Sequence, residues 1–166
     1  MRKLPKIGLR MIKSVIAVFL CFMIDYFRGA GSAFYSVIAA ILCMQPDVKN
    51  SFHVALNRTI GTLIGGAFGL LVLLCMHRFL PDSPPIIQYL IISLALIPLM
   101  YLTVLVKKTA ATYITCVVFL SITVSHGVDV VPYLFAFNRT ADTLIGIFVS
   151  LGINSIPFLK NRFLEQ

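Results

Sequence analysis

Two arginines stand in the same short motif. Arg58 is the second residue of NRTIGTLIGGAFGLL (Asn57–Leu71), and Arg139 is the second of NRTADTLIGIFVSLG (Asn138–Gly152), 81 residues later. A guanidinium is a planar fork of donors that takes a carboxylate bidentately, so an arginine in an apolar segment is a candidate anion ligand. A charge in hydrocarbon costs at least ~2.5–3.5 kcal/mol on insertion scales, so it normally faces protein or water. Both copies keep Asn-Arg-Thr, which points to anion handling or a structural polar cluster at Arg58 and Arg139. Arg10 and Lys13 lie three apart in the first apolar segment. With the arginines they would form a basic ring that draws anions into a pore. For Arg10 and Lys13, snorkelling to headgroups is an equal alternative.

Thr62 and Gln45 belong to the same candidate anion pathway. So does His126, a residue type suited to a proton switch, although a lone helix-end histidine is usually structural. Asp142 follows Arg139 by three, so an i,i+3 salt bridge is easy. A proton-coupling carboxylate is the sharper reading of Asp142. Phe34, Tyr35, Tyr101, Tyr113 and Phe119 would line an aromatic site, but interface belts and ordinary packing explain them more cheaply. No nucleophile–base pair, phosphate loop or carboxylate dyad stands out, so no enzyme is expected. Cys21, Cys43, Cys75 and Cys116 all fall inside apolar runs with no CxxC spacing. They read as small packing residues, and neither a metal site nor a cofactor is expected.

The elements that must position these residues are membrane helices. The chain is 59% hydrophobic and only 12% charged, with a mean hydropathy of +0.96. Soluble domains run about 45–50% apolar and about 25% charged, so the chain reads as an integral membrane protein. The net charge of +8 sits at the ends of apolar runs, which argues against nucleic acid as a partner. Six helices are expected, at about Ile7–Phe27, Gly29–Pro46, Ser51–Met76, Ile86–Val106, Thr109–Gly127 and Tyr133–Leu159. Pro46 stops or kinks the second, and Pro98 kinks the fourth. Gly61, Gly65 and Gly69 form one stripe on the third helix, and small residues four apart let helices approach closely in lipid. A cleaved signal peptide is disfavoured by the five hydrophobic segments that follow the first.

The repeated motif suggests an internal duplication. In its first nine positions the two copies agree at seven. The offset of 81 carries Gly61, Gly65 and Gly69 onto Asp142, Gly146 and Ser150, and Asn154 continues that stripe one turn on. It also carries Gln45-Pro46 onto His126-Gly127, so both halves break at the end of their middle helix. Three spans per half is an odd number, so the halves would be inverted repeats, at about residues 7–80 and 84–160 of a single transmembrane domain. Transporters of that architecture bind at the repeat interface near mid-membrane. With the N-terminus in the cytoplasm, inside segments hold eleven lysines and arginines and outside segments three (Arg28, Arg78 and Arg139). Both termini are therefore expected inside.

Phe34–Gly66, FYSVIAAILCMQPDVKNSFHVALNRTIGTLIGG, resembles the signature of the aromatic acid exporter and fusaric acid resistance (FUSC) families. There a hydrophobic span meets a Q/E-P turn, a short basic helix and R-x-x-G-T-x-x-G. Gly8–Leu20 and Arg139–Asn154 fit the same pattern, and plant malate channels activated by aluminium look like distant relatives. The resemblance implies a six-helix membrane domain, dimeric assembly and movement of organic anions. Many members continue into a cytoplasmic domain where this chain ends at Gln166, so regulation housed there is not carried over. The expectation is an inner-membrane permease exporting small organic anions, aromatic acids foremost, as a homodimer. The alternatives are a passive anion channel and a non-transporting membrane scaffold.

Overall fold

The computed structural model describes residues 8–29, 33–81, 83–125 and 132–156. Among them the chain is all-helical, with six α-helices: α1 (Leu9–Arg28), α2 (Ala33–Cys43), α3 (Val48–Phe79), α4 (Pro85–Leu105), α5 (Thr112–Ser125) and α6 (Pro132–Ser155). A 3₁₀ turn, Thr109–Ala111, leads into α5. Three of the helices, α3, α4 and α6, are long and apolar enough to cross a membrane. The number and order of helices agree with the sequence reading, while their lengths differ in two places. Among the described residues of the expected second span, 11 are helical, about 17 Å at 1.5 Å per residue, against a hydrocarbon core of about 30 Å. Pro46 is the cause: proline disfavours helical geometry in the residue before it, and α2 ends at Cys43. The expected short basic helix and the third span are instead one helix of 32 residues, about 48 Å long.

Helix ends follow local chemistry. Gly29 caps α1 in the left-handed region at φ +59, and its N–H returns to Asp25 O, the position where glycine is free of Cβ strain. After α4 the equivalent role falls to Lys107 at φ +56, with Lys108 N–H bonded to Thr103 O at 3.0 Å. Pro132 begins α6, where a missing N–H costs nothing.

The chain resolves into two compact units, and their boundaries fall inside α3 and α6. One unit joins α1, α2, the start of α3 to Ala55 and the end of α6 from Asp142. Lys13, Ala17 and Cys21 form the buried stripe of α1. Ala17 and Cys21 pack with Ala40, Met44 and Ile153, and Ala39 and Cys43 pack with Ala55 and Ile147. Gly146 lies against the backbone of Ser36, whose carbonyl oxygen a Cβ at 146 would overlap. Contact positions climb together along α2 and α6, so these helices run in the same direction. The second unit, Leu56–Ala141, is built on α3 against α5. A Cβ at Gly65 would overlap Thr115 O, one at Gly61 would meet Ala111 O at 2.9 Å, and Gly69 faces Phe119 and Ile122. These two helices also run in the same direction. Ile92 and Leu99 of α4 close the unit over Val72, Met76 and Phe119.

Outward surfaces are apolar. Phe19, Phe27, Leu94, Ile97 and Phe148 are each more than half exposed. An aqueous surface would not carry such a belt, whereas lipid solvates it at no cost. Packing of small residues then has to supply the helix association that hydrophobicity cannot.

Candidate functional site

The polar side chains in the interior fall into three groups. The first is at one end of the α1–α6 unit. Asn154, in the last turn of α6, is 4% exposed. Its amide donates to Ser51 Oγ at 2.7 Å and to Gln45 O at 3.1 Å, and its Oδ1 accepts from Lys13 Nζ at 3.0 Å. Gln45 N–H also donates to Ser51 Oγ at 3.0 Å. Beside them Arg10 Nε donates to Met44 O at 2.7 Å. The shared logic is helix termination: the last carbonyls of a helix lack intrahelical donors and carry the negative end of its dipole. Arg10 serves the end of α2, and Lys13 also reaches Asn154 O at 3.5 Å at the end of α6. Lys13 is buried, so it does not snorkel.

The second group is at the other end of the same unit. Arg28 Nη1 binds Asp142 Oδ1 at 2.6 Å, with the Asp142 side chain 4% exposed and that of Arg28 29%. Lys13 meets Asn154 while Arg28 meets Asp142, so α1 and α6 are antiparallel. The start of α1 and the end of α6 therefore lie at the same end of the unit. The sequence reading counts Arg28 only among the outside cations, and its partner is 114 positions away.

The third group is in the second unit. Arg139 is 5% exposed, and its Nε donates to Ser121 Oγ of α5 at 3.0 Å. Gly66 packs on Thr140, where a Cβ would lie 2.8 Å from Thr140 Oγ1. Arg58 is half-buried and stands eight residues before Gly66, about 12 Å along α3. The two Asn-Arg-Thr arginines are thus at different depths. Thr62 is fully buried. A groove of about 500 Å³ runs between Leu63, Gly66 and Leu70 of α3 and Tyr133, Phe137 and Thr140 of α6. Its walls are apolar, which suits a hydrocarbon or aromatic body better than a carboxylate.

The remaining expected residues are quickly placed. Gly61, Gly65 and Gly146 stand at close helix contacts, Gly69 is at ordinary van der Waals distance from Phe119 and Ile122, and Ser150 is buried on the same α6 face as Gly146. Phe34, Tyr101 and Tyr113 are more than 60% exposed, and Phe119 is fully buried with its ring 5.9 Å from that of Phe68. Each of the first three thus faces outward on its own helix, and Phe119 belongs to the core of its unit. His126 lies outside the described residues. Among the described residues no group of three His, Cys, Asp or Glu side chains could hold a metal.

A buried guanidinium, a buried ion pair and a polar network inside apolar helices fit a membrane protein, in which ionisable side chains face protein rather than lipid. Residues 15–153 match the fusaric acid resistance protein-like family. The chain is similar to UPF0421 protein YgaE of Bacillus subtilis (strain 168), with 29% identity over 164 residues. That alignment takes in 95% of this chain and 41% of the relative, so the chain spans well under half of that relative's length. No solved structure matches. With the family match running from α1 to the last turn of α6, the chain belongs to the fusaric acid resistance protein-like family.

Proposed function

We propose that the protein is a cell-membrane permease for small organic anions, aromatic acids foremost, built from two inverted three-helix repeats and working as a homodimer. One observation carries the anion reading: Arg139, buried inside a membrane-length helix, belongs to a motif that the chain repeats at Arg58. A guanidinium kept in that setting in both copies is suited to compensating a carboxylate that has left water.

Three features support the repeat and its topology. In each unit the third helix of one half runs parallel to the middle helix of the other, α3 with α5 and α6 with α2. The glycines at the closest approach, Gly65 and Gly146, are related by the same offset of 81 as the motif. The two ends of the α1–α6 seam place the start of α1 and the end of α6 together, as six crossings require. The excess of lysine and arginine in the segments assigned to the inside supports a cytoplasmic position for both termini. Close glycine contacts suit a dimer whose second copy completes the lining of a path that one unit this small encloses poorly.

The test is flux in proteoliposomes across a panel of aromatic and aliphatic carboxylates. Saturable flux of one of them is expected, nearly lost in Arg58→Ala and partly kept in Arg58→Lys, which retains the charge without the fork. Accumulation against a gradient, abolished by an uncoupler, marks a permease, and flux that only follows the gradient marks a channel. Liposomes inert to every anion would overturn both and leave a scaffold.

A further inference from the structure

Most hydroxyls on these helices are spent on their own backbone. Thr115, Thr123 and Thr140 each donate to the carbonyl four residues back, Ala111, Phe119 and Ala136, at 2.9, 3.0 and 2.9 Å. Thr103 donates to Met100 O at 2.7 Å. That is the ordinary way for a hydroxyl to be satisfied inside a membrane helix. Thr62 departs from it. Its Oγ1 is buried with no hydrogen bond among the described residues, although the residue is fully enclosed and a carbonyl one turn back is within reach of the other threonines. A buried hydroxyl left unbonded is costly, so its retention calls for an explanation outside the resting packing.

The position of Thr62 supplies one. Arg58, Thr62 and Gly66 follow each other at intervals of four and so share one face of α3. Gly66 is packed on Thr140 of α6, which makes this an inward face. The Arg58 Nε lies buried on it, one turn from the Thr62 hydroxyl. Ser150 Oγ is also buried and unbonded, but the cation one turn away, Lys13, is already bonded to Asn154.

We infer that the Thr62 hydroxyl and the Arg58 guanidinium form a carboxylate subsite, in which Thr62 donates to one oxygen of the transported anion. The inference rests on the anion-transport reading and adds to it a specificity-determining residue. A hydroxyl bond to an ionised group is stronger than one to a neutral carbonyl, so the donor left unbonded in the empty protein gains its partner when the anion arrives. The neighbouring apolar groove between Leu63 and Phe137 begins beside Thr62 and continues along α3 through Gly66 to Leu70, on the side where the organic body of such an anion would extend.

The experiment compares benzoate flux in proteoliposomes of the full chain for the original sequence, Thr62→Val, Thr62→Ser and Thr123→Val, with thermal stability of each in detergent. Thr62→Val keeps the shape and removes the donor. It should raise the KM for benzoate about tenfold, in line with loss of one hydrogen bond to a charged group, with melting unchanged or higher. Thr62→Ser should stay near the original KM. Thr123→Val, which loses a bond to its own helix, should leave KM alone. An unchanged KM in Thr62→Val would overturn the subsite, as would a fall in melting that tracks the loss of flux. If the original protein carries no benzoate or other carboxylate at all, the anion reading itself falls and the subsite with it.

Discussion

The helices α3 and α6 carry the same motif and meet their neighbours in the same register, yet they have been put to different use. On α3 the contact face reads Gly61, Gly65, Gly69, and each glycine lies against α5. On α6 the matching positions read Asp142, Gly146, Ser150. Only the middle one is a glycine, and it lies against α2. The flanking positions are polar: Asp142 takes Arg28, and Asn154, one turn beyond Ser150, holds Lys13, Ser51 and Gln45. The comparison separates two needs. Close backbone approach at the crossing is required in both units, and glycine stands there in both. Attachment to α1 is required only of α6, and side chains that bond across helices appear where glycines would only let them slide.

The largest effect that tests this contrast should come from the shared centre. Gly146→Ala puts a methyl into the carbonyl of Ser36, and Gly65→Ala puts one into the carbonyl of Thr115. In both the obstacle is backbone, which cannot swing aside as a side chain does. Overpacking of a tight core costs about 1–3 kcal/mol, and these two changes should lie at the upper end or abolish accumulation. Yield and melting of the purified protein in detergent measure it. Tolerance of alanine at either position would mean that the crossing is looser than the contacts imply.

A smaller effect should separate the two helices. Arg28→Ala removes a cation from a carboxylate that is 4% exposed. Breaking a fully enclosed pair costs about 3–5 kcal/mol, but Arg28 keeps 29% of its side-chain exposure and water screens it, so about 1–3 kcal/mol is expected. Asp142→Asn in the same chain should restore part of that loss, because the amide leaves no charge in want of a partner. A double-mutant cycle in thermal melting reads the coupling. Additive losses would show that Arg28 and Asp142 act independently and that the attachment of α6 to α1 lies elsewhere.

The sequence carried the periodic features well and the distant ones poorly. The six helices, their order and the glycine stripe were legible because each depends on residues within one or two turns. The breadth of the family match, residues 15–153, agrees with a resemblance first seen in Phe34–Gly66. The partners of Lys13 and Arg28 were not legible. They are 141 and 114 residues away, and no local pattern identifies which polar residue of α6 will face which cation of α1. That Arg10 and Lys13 bond carbonyls at the ends of α2 and α6 was not legible either, because it depends on where those helices end. The shortness of α2 was half legible, since Pro46 marked a break but not that the helix stops at Cys43.

The smallest predicted effect sharpens the comparison at its edge. Gly69 belongs to the α3 stripe, but a Cβ there would sit 3.4 Å from Ile122 Cβ and 3.5 Å from Phe119 Cα, which is ordinary contact. Gly152 on α6 has nothing within 4 Å. Alanine is favoured over glycine inside a helix by about 0.8–1.0 kcal/mol, and a Cβ at van der Waals distance adds dispersion contact. Gly69→Ala and Gly152→Ala should therefore be neutral or raise melting slightly, by less than about 1 kcal/mol, with carboxylate flux unchanged. Position 69 matches Ser150, where α6 already carries a buried side chain, so the two helices would agree that this turn has room. If Gly69→Ala destabilises as much as Gly65→Ala, the whole α3 stripe is under contact. The distinction between a tight crossing and a roomier turn one step beyond it would then hold for α6 alone.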